Sequence, residues 1–539
     1  MPPTASSPAA REVALTDFVA QLVRELEPLE RAHNEATWAC NVRADREAEA
    51  RSIELEARIR TLFSHREPYQ WLTGVREAGG VPDARLQRQL ELLVNNFRAH
   101  QIAPETIERM VRLEQSLESR FNQFRARLDG RMVSDNALRE VLRGSGDAGE
   151  RRAAWQASKQ IGAEVAPDLL ALVGMRNEAA RAIGFPSYYS MMLALDEIDE
   201  AALFADLDRI ERGTRAPFER WKQEFDAACA RRFGVAPEAL APWHYADPFF
   251  QEAPPAEVAL DRWFADRSLE QIAAAFFAAV GFPLDDLLPR ADLYEREGKS
   301  QHAFCLSVDR GGDVRVLCNL RPNEHWMGTL LHEFGHAVYD VRIDRTLPFL
   351  LRGPAHTNTT EASAMLFGRL AKNAAWLERW AGVPAAEARA IGEACRRAQR
   401  AQLLVQTRWM LVMCHMERAL YSDPTQDLDT LWWRLVGEFQ RVRTPEPRRA
   451  PDWASKVHFS VAPVYYHNYL LGEITASQLQ RHLLSQVTGW ADLVQSPDTG
   501  HWLTESLYRH GRIRDWRETL RHATGRALDV DAYIAELEE

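Results

Sequence analysis

No stretch of this 539-residue sequence approaches the ~18–20 consecutive apolar residues that a bilayer-spanning helix requires, so no membrane partner is expected. Basic blocks are missing too. The net charge is −11, with nothing that would cradle a phosphate backbone, which argues against a nucleic-acid partner. Cysteine is sparse, six in all, and Met1-Pro2-Pro3-Thr4 does not open a basic-then-apolar leader; a reducing, cytoplasmic setting is the expectation. There is no internal repeat and no low-complexity segment. Strand patterning is rare as well. Only residues 302–319 read as a strand pair, a β-hairpin turning at Gly311-Gly312 that sets Cys305 across from Cys318. Two reduced cysteines packing as small hydrophobes are expected there rather than a disulfide.

What is present is helix-forming sequence. Residues 15–63 carry apolar side chains at helical spacing (Phe18, Leu22, Leu26, Leu29), with Pro28 expected to kink or divide the run. Helical patterns continue at 65–145, 147–183, 199–233, 257–285, 323–341, 361–380, 385–421, 428–442 and 470–487. Prolines at 237, 242, 248, 254 and 255 mark an irregular stretch, and Arg443–Pro451 breaks helix completely. The predicted fold is mainly α-helical with one small β-hairpin, in two lobes around a deep substrate cleft. Residues 1–12 read as a disordered tail and 13–539 as a single helical domain with room for two substantial cores.

The chemistry concentrates at Leu331-His332-Glu333-Phe334-Gly335-His336-Ala337, an H-E-x-x-H sequence. On a helix, residues four apart lie on one face about a turn apart, so both imidazoles reach one metal ion. Glu333 sits directly after the first histidine, where its carboxylate can act as a base beside that ion. Two nitrogen ligands and a nearby base suit zinc, which needs a third protein ligand from a later element. Downstream carboxylates are Asp340, Asp344 and Glu361, of which Glu361 is the best placed: it follows four residues, Thr357 to Thr360, that offer helix N-caps. Ligation by His332, His336 and Glu361 leaves the fourth zinc position open, as in a catalytic site with one Zn2+ per chain.

HEFGHA, a glutamate about 25 residues on and a late tyrosine-rich segment resemble helical zinc peptidases of the angiotensin-converting-enzyme type and of the thimet oligopeptidase and oligoendopeptidase type. Arg176-Asn177-Glu178-Ala179-Ala180-Arg181 with Gly184-Phe185 resembles a converting-enzyme helix, and Gln301-His302-Ala303-Phe304 resembles its substrate-binding strand. Asp452-Trp453-Ala454-Ser455-Lys456-Val457-His458, followed by Tyr465, Tyr466 and Tyr469, resembles its C-terminal substrate segment, here 452–470. The resemblance implies that His302 and its strand bind the peptide backbone by β-augmentation, and that Lys456 with Gln251 holds a substrate's C-terminal carboxylate. It further implies that Tyr469, with His458 nearby, stabilises the oxyanion while Tyr466 binds substrate. Tyr465 competes for these roles, since it keeps the family's distance from His458.

The resulting expectation is a zinc peptidase in which Glu333 is the general base and acid. Short peptides are the expected substrates, with release of C-terminal dipeptides as one mode and internal cleavage of the oligopeptidase type as the alternative. A non-catalytic peptide-binding protein ranks below both, because every proposed ligand and Glu333 is present. Three positions depart from the converting-enzyme pattern: Met365 stands where that branch has an orienting aspartate, Asn468 where it has a chloride-binding arginine, and Gln301 where it has a cysteine. Asp340, four residues after His336, is the carboxylate available to take the orienting role.

Overall fold

The computed structural model describes residues 7–43, 45–254, 258–445, 448–489 and 493–538. Helices dominate, as the periodicity predicts, and no helix among the described residues is long and apolar enough to cross a membrane. The chain forms two compact units, one from Met1–Gln101, Glu257–Arg396 and Leu471–Tyr533, the other from Ile102–Ala256, Arg397–Leu470 and Ile534–Glu539. Of the expected tail, residues 1–6 lie outside the described residues and a helix begins at Pro8.

In the first unit that helix, Pro8–Arg43, continues past Pro28 instead of dividing there. Proline costs one backbone bond, but Leu15, Leu22, Leu26 and Leu29 lie buried on both sides of it, and that burial outweighs the loss. The next helix opens at Asp45, whose side chain caps the amides of Glu47 and Ala48. The main core of this unit surrounds the helix Glu324–Arg342, which carries H-E-x-x-H. Its apolar stripe (Met327, Leu330, Leu331, Phe334, Val338) is buried against Phe276, Phe277, Phe367 and Trp376, with the Phe277 and Phe367 rings 5.0 Å apart.

The hairpin 302–319 is present as β3 (Phe304–Ser307) and β4 (Val314–Leu317), and both strands pack on that same helix. Its register corrects the expectation. Cys305 pairs with Val316, not Cys318, and both thiols are free. The cause is Asp309, whose Oδ1 accepts from the amides of Gly311 (2.7 Å) and Asp313 (3.0 Å). Asp309 to Gly312 are thereby spent on a four-residue turn closed by Val308 N–H to Asp313 O. Residues 292–293 extend β4 on its far side, which makes β3 the outer strand. The N-terminal helix leans on it: Asn34 Nδ2 donates to the carbonyls of Ser307 and Val308, and Glu30 pairs with Arg310 at 2.9 Å.

The second unit contains a hairpin absent from the expected fold, β1 (Ala126–Leu128) and β2 (Arg131–Val133). Asp129 and Gly130 both take positive φ (49° and 76°), as a two-residue hairpin turn demands. The Asp-Gly pair was the available signal. The hairpin packs on the helix Ala148–Ser158, and the same unit holds the long helices Gln160–Ala182, Glu200–Phe233 and the later part of Ala385–Ser422. The pattern at 428–442 resolves into a helix over Leu428–Leu435 followed by a π-helical turn, Val436–Gln440. The tyrosine-bearing helix starts at Tyr466, earlier than its apolar pattern alone predicts, and runs to His482, with a π-helical turn, Leu483–Val487, carrying it to the expected end.

Candidate active site

The first unit brings the three expected ligands together. His332 and His336 share one face of the Glu324–Arg342 helix, their rings 4.9 Å apart. Glu361 comes from the next helix, Thr357–Gly368, with its Oε2 3.8 Å from His332 Nε2 and 4.0 Å from His336 Nε2. One ligand atom from each lies within 4.8 Å of the other two. The N-cap of that second helix is His356, whose ring nitrogen accepts the Asn358 amide while Thr359 Oγ1 accepts the His356 amide.

Two close approaches make this convergence possible. A Cβ on Gly335 would lie 2.7 Å from Ala364 Cα and 3.0 Å from Ser363 O, so the two ligand-bearing helices touch backbone to backbone at the glycine of H-E-F-G-H. Ser363 Oγ donates to Gly335 O at that contact (2.8 Å). On the other side, a Cβ on Gly472 would come within 2.8 Å of Glu361 Cβ.

The electrostatics fit a divalent cation. Burial pushes His332 down to about 4 and His336 well below the usual imidazole range, so both rings are neutral and present lone pairs. Glu333 is buried beside them, and desolvation with the Glu361 charge pushes it up to about 8. Two carboxylates crowd one buried spot beside two neutral imidazoles. A dication is the chemical group that satisfies that donor set.

Thr360 supplies an orienting contact that the sequence reading missed. Its Oγ1 lies 2.8 Å from His336 Nδ1; with Nδ1–H donating to it, the Nε2 lone pair faces Glu361. Asp340 does not take that role. It is held up to about 7 by burial, with Arg310 and Arg512 as the charges facing it. Replacing Thr360 by Val keeps the shape and removes the acceptor. Metal affinity is expected to fall about 10- to 100-fold, read by chelator competition, and an unchanged affinity would mean the hydroxyl orients nothing.

His302 lies exposed, two residues before β3, in the same unit.

The second unit gathers the other candidates. Lys456 Nζ donates to Gln251 Oε1 at 2.9 Å, joining residues 205 positions apart. Around that ammonium stand the rings of Trp409, Phe249 and Tyr466, with centroids 5.3, 5.4 and 5.8 Å away. The Gln251 loop is held from both ends. Asp247 accepts the amides of Phe249, Gln251 and Glu252, while Gln440 Nε2 donates to the carbonyls of Phe249 and Phe250. Phe250 is thereby kept at φ 52°.

The R-N-E-A-A-R motif acquires a physical role. Buried Arg176 donates to Ser460 O (2.9 Å), Phe459 O (3.4 Å), Tyr421 Oη (2.9 Å) and Glu114 (2.8 Å). It thus clamps the chain just after His458. Glu417 accepts the Val464 amide at 2.7 Å, fixing the turn that leads into the tyrosines. Tyr469 meets both neighbours, its ring 5.1 Å from Tyr465 and 5.4 Å from Tyr466. Tyr466 is buried, 4.9 Å ring to ring from His458, and its Oη accepts from Trp409 Nε1 (3.1 Å). Tyr465 and Tyr469 are half-buried.

Fold and site resemble those of helical H-E-x-x-H metallopeptidases. The model of the angiotensin-converting enzyme family matches residues 9–219, and that of the carboxypeptidase Taq (M32) metallopeptidases matches residues 450–539, including the Lys456 and tyrosine segment. Carboxypeptidase 1 of Bacillus subtilis is 23% identical over 293 residues, covering 50% of this chain and 56% of the relative. Thermostable carboxypeptidase 1 of Pyrococcus furiosus is 23% identical over 137 residues, 24% of this chain and 27% of that protein. The chain therefore aligns with about half the length, or less, of these curated relatives. The carboxypeptidase Taq likeness is an addition to the two families that the sequence motifs bring forward.

Proposed function

We propose that this protein is a zinc-dependent carboxypeptidase of short peptides, which recognises the free C-terminus of its substrate. The observation that carries the reading is the convergence of His332, His336 and Glu361 with Glu333 buried among them. His332, His336 and Glu361 would hold one zinc ion. When bound, that ion supplies Lewis-acid polarisation of the scissile carbonyl and lowers the pKa of water toward neutrality. Glu333 takes the proton of the attacking water and returns it to the leaving amine. Thr360 keeps His336 in the tautomer that leaves Nε2 to the metal. The resemblance to the converting-enzyme family supports Tyr469 as donor to the developing oxyanion with His458, Tyr466 and Tyr465 as substrate-side phenols, and His302 as a backbone-binding residue.

The C-terminal mode rests on Lys456 and Gln251. Gln251 Oε1 accepts one N–H of the ammonium, and the aromatic walls limit its access to water, so a peptide carboxylate gains a poorly hydrated charge partner. The names of the relatives point the same way. Replacing Lys456 by Ala is expected to lower kcat/KM about 10- to 100-fold on peptides with free C-termini, corresponding to one charged hydrogen bond, and to leave C-terminally amidated peptides unchanged. Burial also pushes the Lys456 ammonium down to about 8. The free-versus-amidated preference should therefore fade as pH rises through that value. Equal losses on both peptide sets would remove the carboxylate-docking role.

Mass spectrometry of products from matched free and amidated peptides, with and without chelator, tests the reading as a whole. Chelator-sensitive trimming from free C-termini supports it, and the masses released tell single residues from dipeptides. Internal cuts indifferent to amidation would instead establish the oligopeptidase mode. No chelator-sensitive cleavage of any peptide would overturn the enzymatic reading.

A further inference from the structure

A separate groove of about 640 Å3 opens in the second unit, within the ~300–1,000 Å3 range of small-ligand sites. Three elements each contribute one helical stripe to it: Asp208, Glu211, Arg212 and Arg215 from Glu200–Phe233; His415, Arg418 and Ser422 from Ala385–Ser422; and Leu431, Arg434, Leu435, Glu438 and Phe439 from Leu428–Gln440. None of these positions belongs to the candidate active site.

The charges on its walls are unequally committed. Arg215 forks onto Glu211, and Arg418 pairs with Glu200 at 2.8 Å while lying over the Phe204 ring. Arg212 and Asp208 make no hydrogen bond or ion pair among the described residues. Arg434 and Glu438 stand 3.6 Å apart, each more than half exposed, a geometry too long for a hydrogen bond. The groove therefore offers available charge of both signs. A polyanion would gain Arg212 and Arg434 yet meet Asp208 and Glu438; a polycation meets the reverse conflict.

Its inner wall is apolar. The His415 ring lies against Phe204 (5.2 Å) and Phe439 (5.0 Å), and Leu431 and Leu435 are buried beside it. Burial lowers the His415 pKa; the charged groups facing it are Asp208, Glu438, Arg418 and Arg434, two of each sign. Phe439 sits within the π-helical turn Val436–Gln440, an irregularity frequent at functional sites.

A ligand that matches both the mixed charge and the apolar wall is a zwitterion with an apolar body. We propose that this groove is a second binding site for short peptides with free termini, the carboxylate taken by Arg212 and Arg434, the ammonium by Asp208 and Glu438, and an apolar side chain by Phe439 and Leu435. The backs of the same elements bear Glu417, which holds the Val464 amide, and Gln440, which holds the Gln251 loop.

Leucyl-leucine is the probe, titrated calorimetrically into the full chain carrying Glu333→Gln to prevent turnover and Lys456→Ala to remove the other carboxylate pocket. Saturable binding is expected, weakened about 10-fold or more by adding Asp208→Asn with Arg212→Gln, since two charge-assisted contacts are lost. N-acetyl-leucyl-leucine and leucyl-leucinamide should each bind more weakly than the zwitterion. Both wall residues are exposed, and an unaltered melting temperature of the unliganded variant separates lost binding from lost folding. Binding indifferent to the two wall substitutions, no binding at all, or tighter binding of inorganic pyrophosphate than of leucyl-leucine would each overturn the proposal. None of these outcomes depends on peptidase activity.

Discussion

Replacing Glu333 by Gln is expected to lower kcat by about 10²- to 10⁴-fold while leaving metal content unchanged. The substitution preserves size and hydrogen-bonding reach but removes the carboxylate that the motif helix places directly beside its two histidines. Glu333 is not among the three residues whose ligand atoms converge, so removing its charge should not release the ion. It is also buried next to Glu361, whose charge opposes its ionisation. Removing one charge there should not cost folding stability. Rate, KM and metal stoichiometry measured on one preparation decide the matter. A loss of rate accompanied by loss of metal would make Glu333 part of the binding site instead, and full activity would remove it from the mechanism.

Gly335→Ala is expected to act on the same site from its back. One added methyl, without relaxation, would sit 2.7 Å from Ala364 Cα, a backbone atom that no rotamer change can move aside. The helices carrying the histidines and Glu361 must separate, at a cost of about 1–3 kcal/mol or more for overpacking. The hydrogen bond from Ser363 Oγ to Gly335 O, continued at 2.7 Å to Tyr508 Oη, stretches with them. Glu361 then withdraws from His332 and His336, and metal affinity should fall beyond the effect of Thr360→Val. Thermal melting with and without added zinc, together with chelator competition, measures both parts. Activity and affinity within about twofold of the parent would mean the helices relax freely, since a real clash of this kind costs several-fold in affinity.

The helical character was legible because apolar side chains recur at helical spacing and short Gly and Pro breaks separate the runs. Local chemistry overrode that reading at definite places. Pro28 did not end its helix, because buried leucines flank it on both sides. The second hairpin escaped notice although Asp129-Gly130 announces it, since three-residue strands carry too few alternating positions to register as a pattern. The β3–β4 register shifted by two residues because the Asp309 side chain, not the glycine pair, sets the turn.

The candidate metal triad was legible for a different reason. Two of its residues are tied by the fixed geometry of one helix, and the third follows within 25 positions on the adjoining helix. Thr360 was not recognised as an orienting group, since nothing in its neighbours says which way a hydroxyl points. Trp409 and Gln440 had no local signal at all: their relation to Lys456 and to the Gln251 loop arises only when segments far apart in the chain are packed together.

The sequence by itself determined the helical class, the H-E-x-x-H face and Glu361 as the candidate that the structure brings beside it, because each depends on spacing along the chain. Only the tertiary structure decided that Thr360 rather than Asp340 orients His336, that Arg176 clamps the segment after His458, and that Lys456 meets Gln251 inside an aromatic enclosure. Those outcomes turn on side-chain direction and on contacts between distant segments, which close packing selects and local periodicity does not encode.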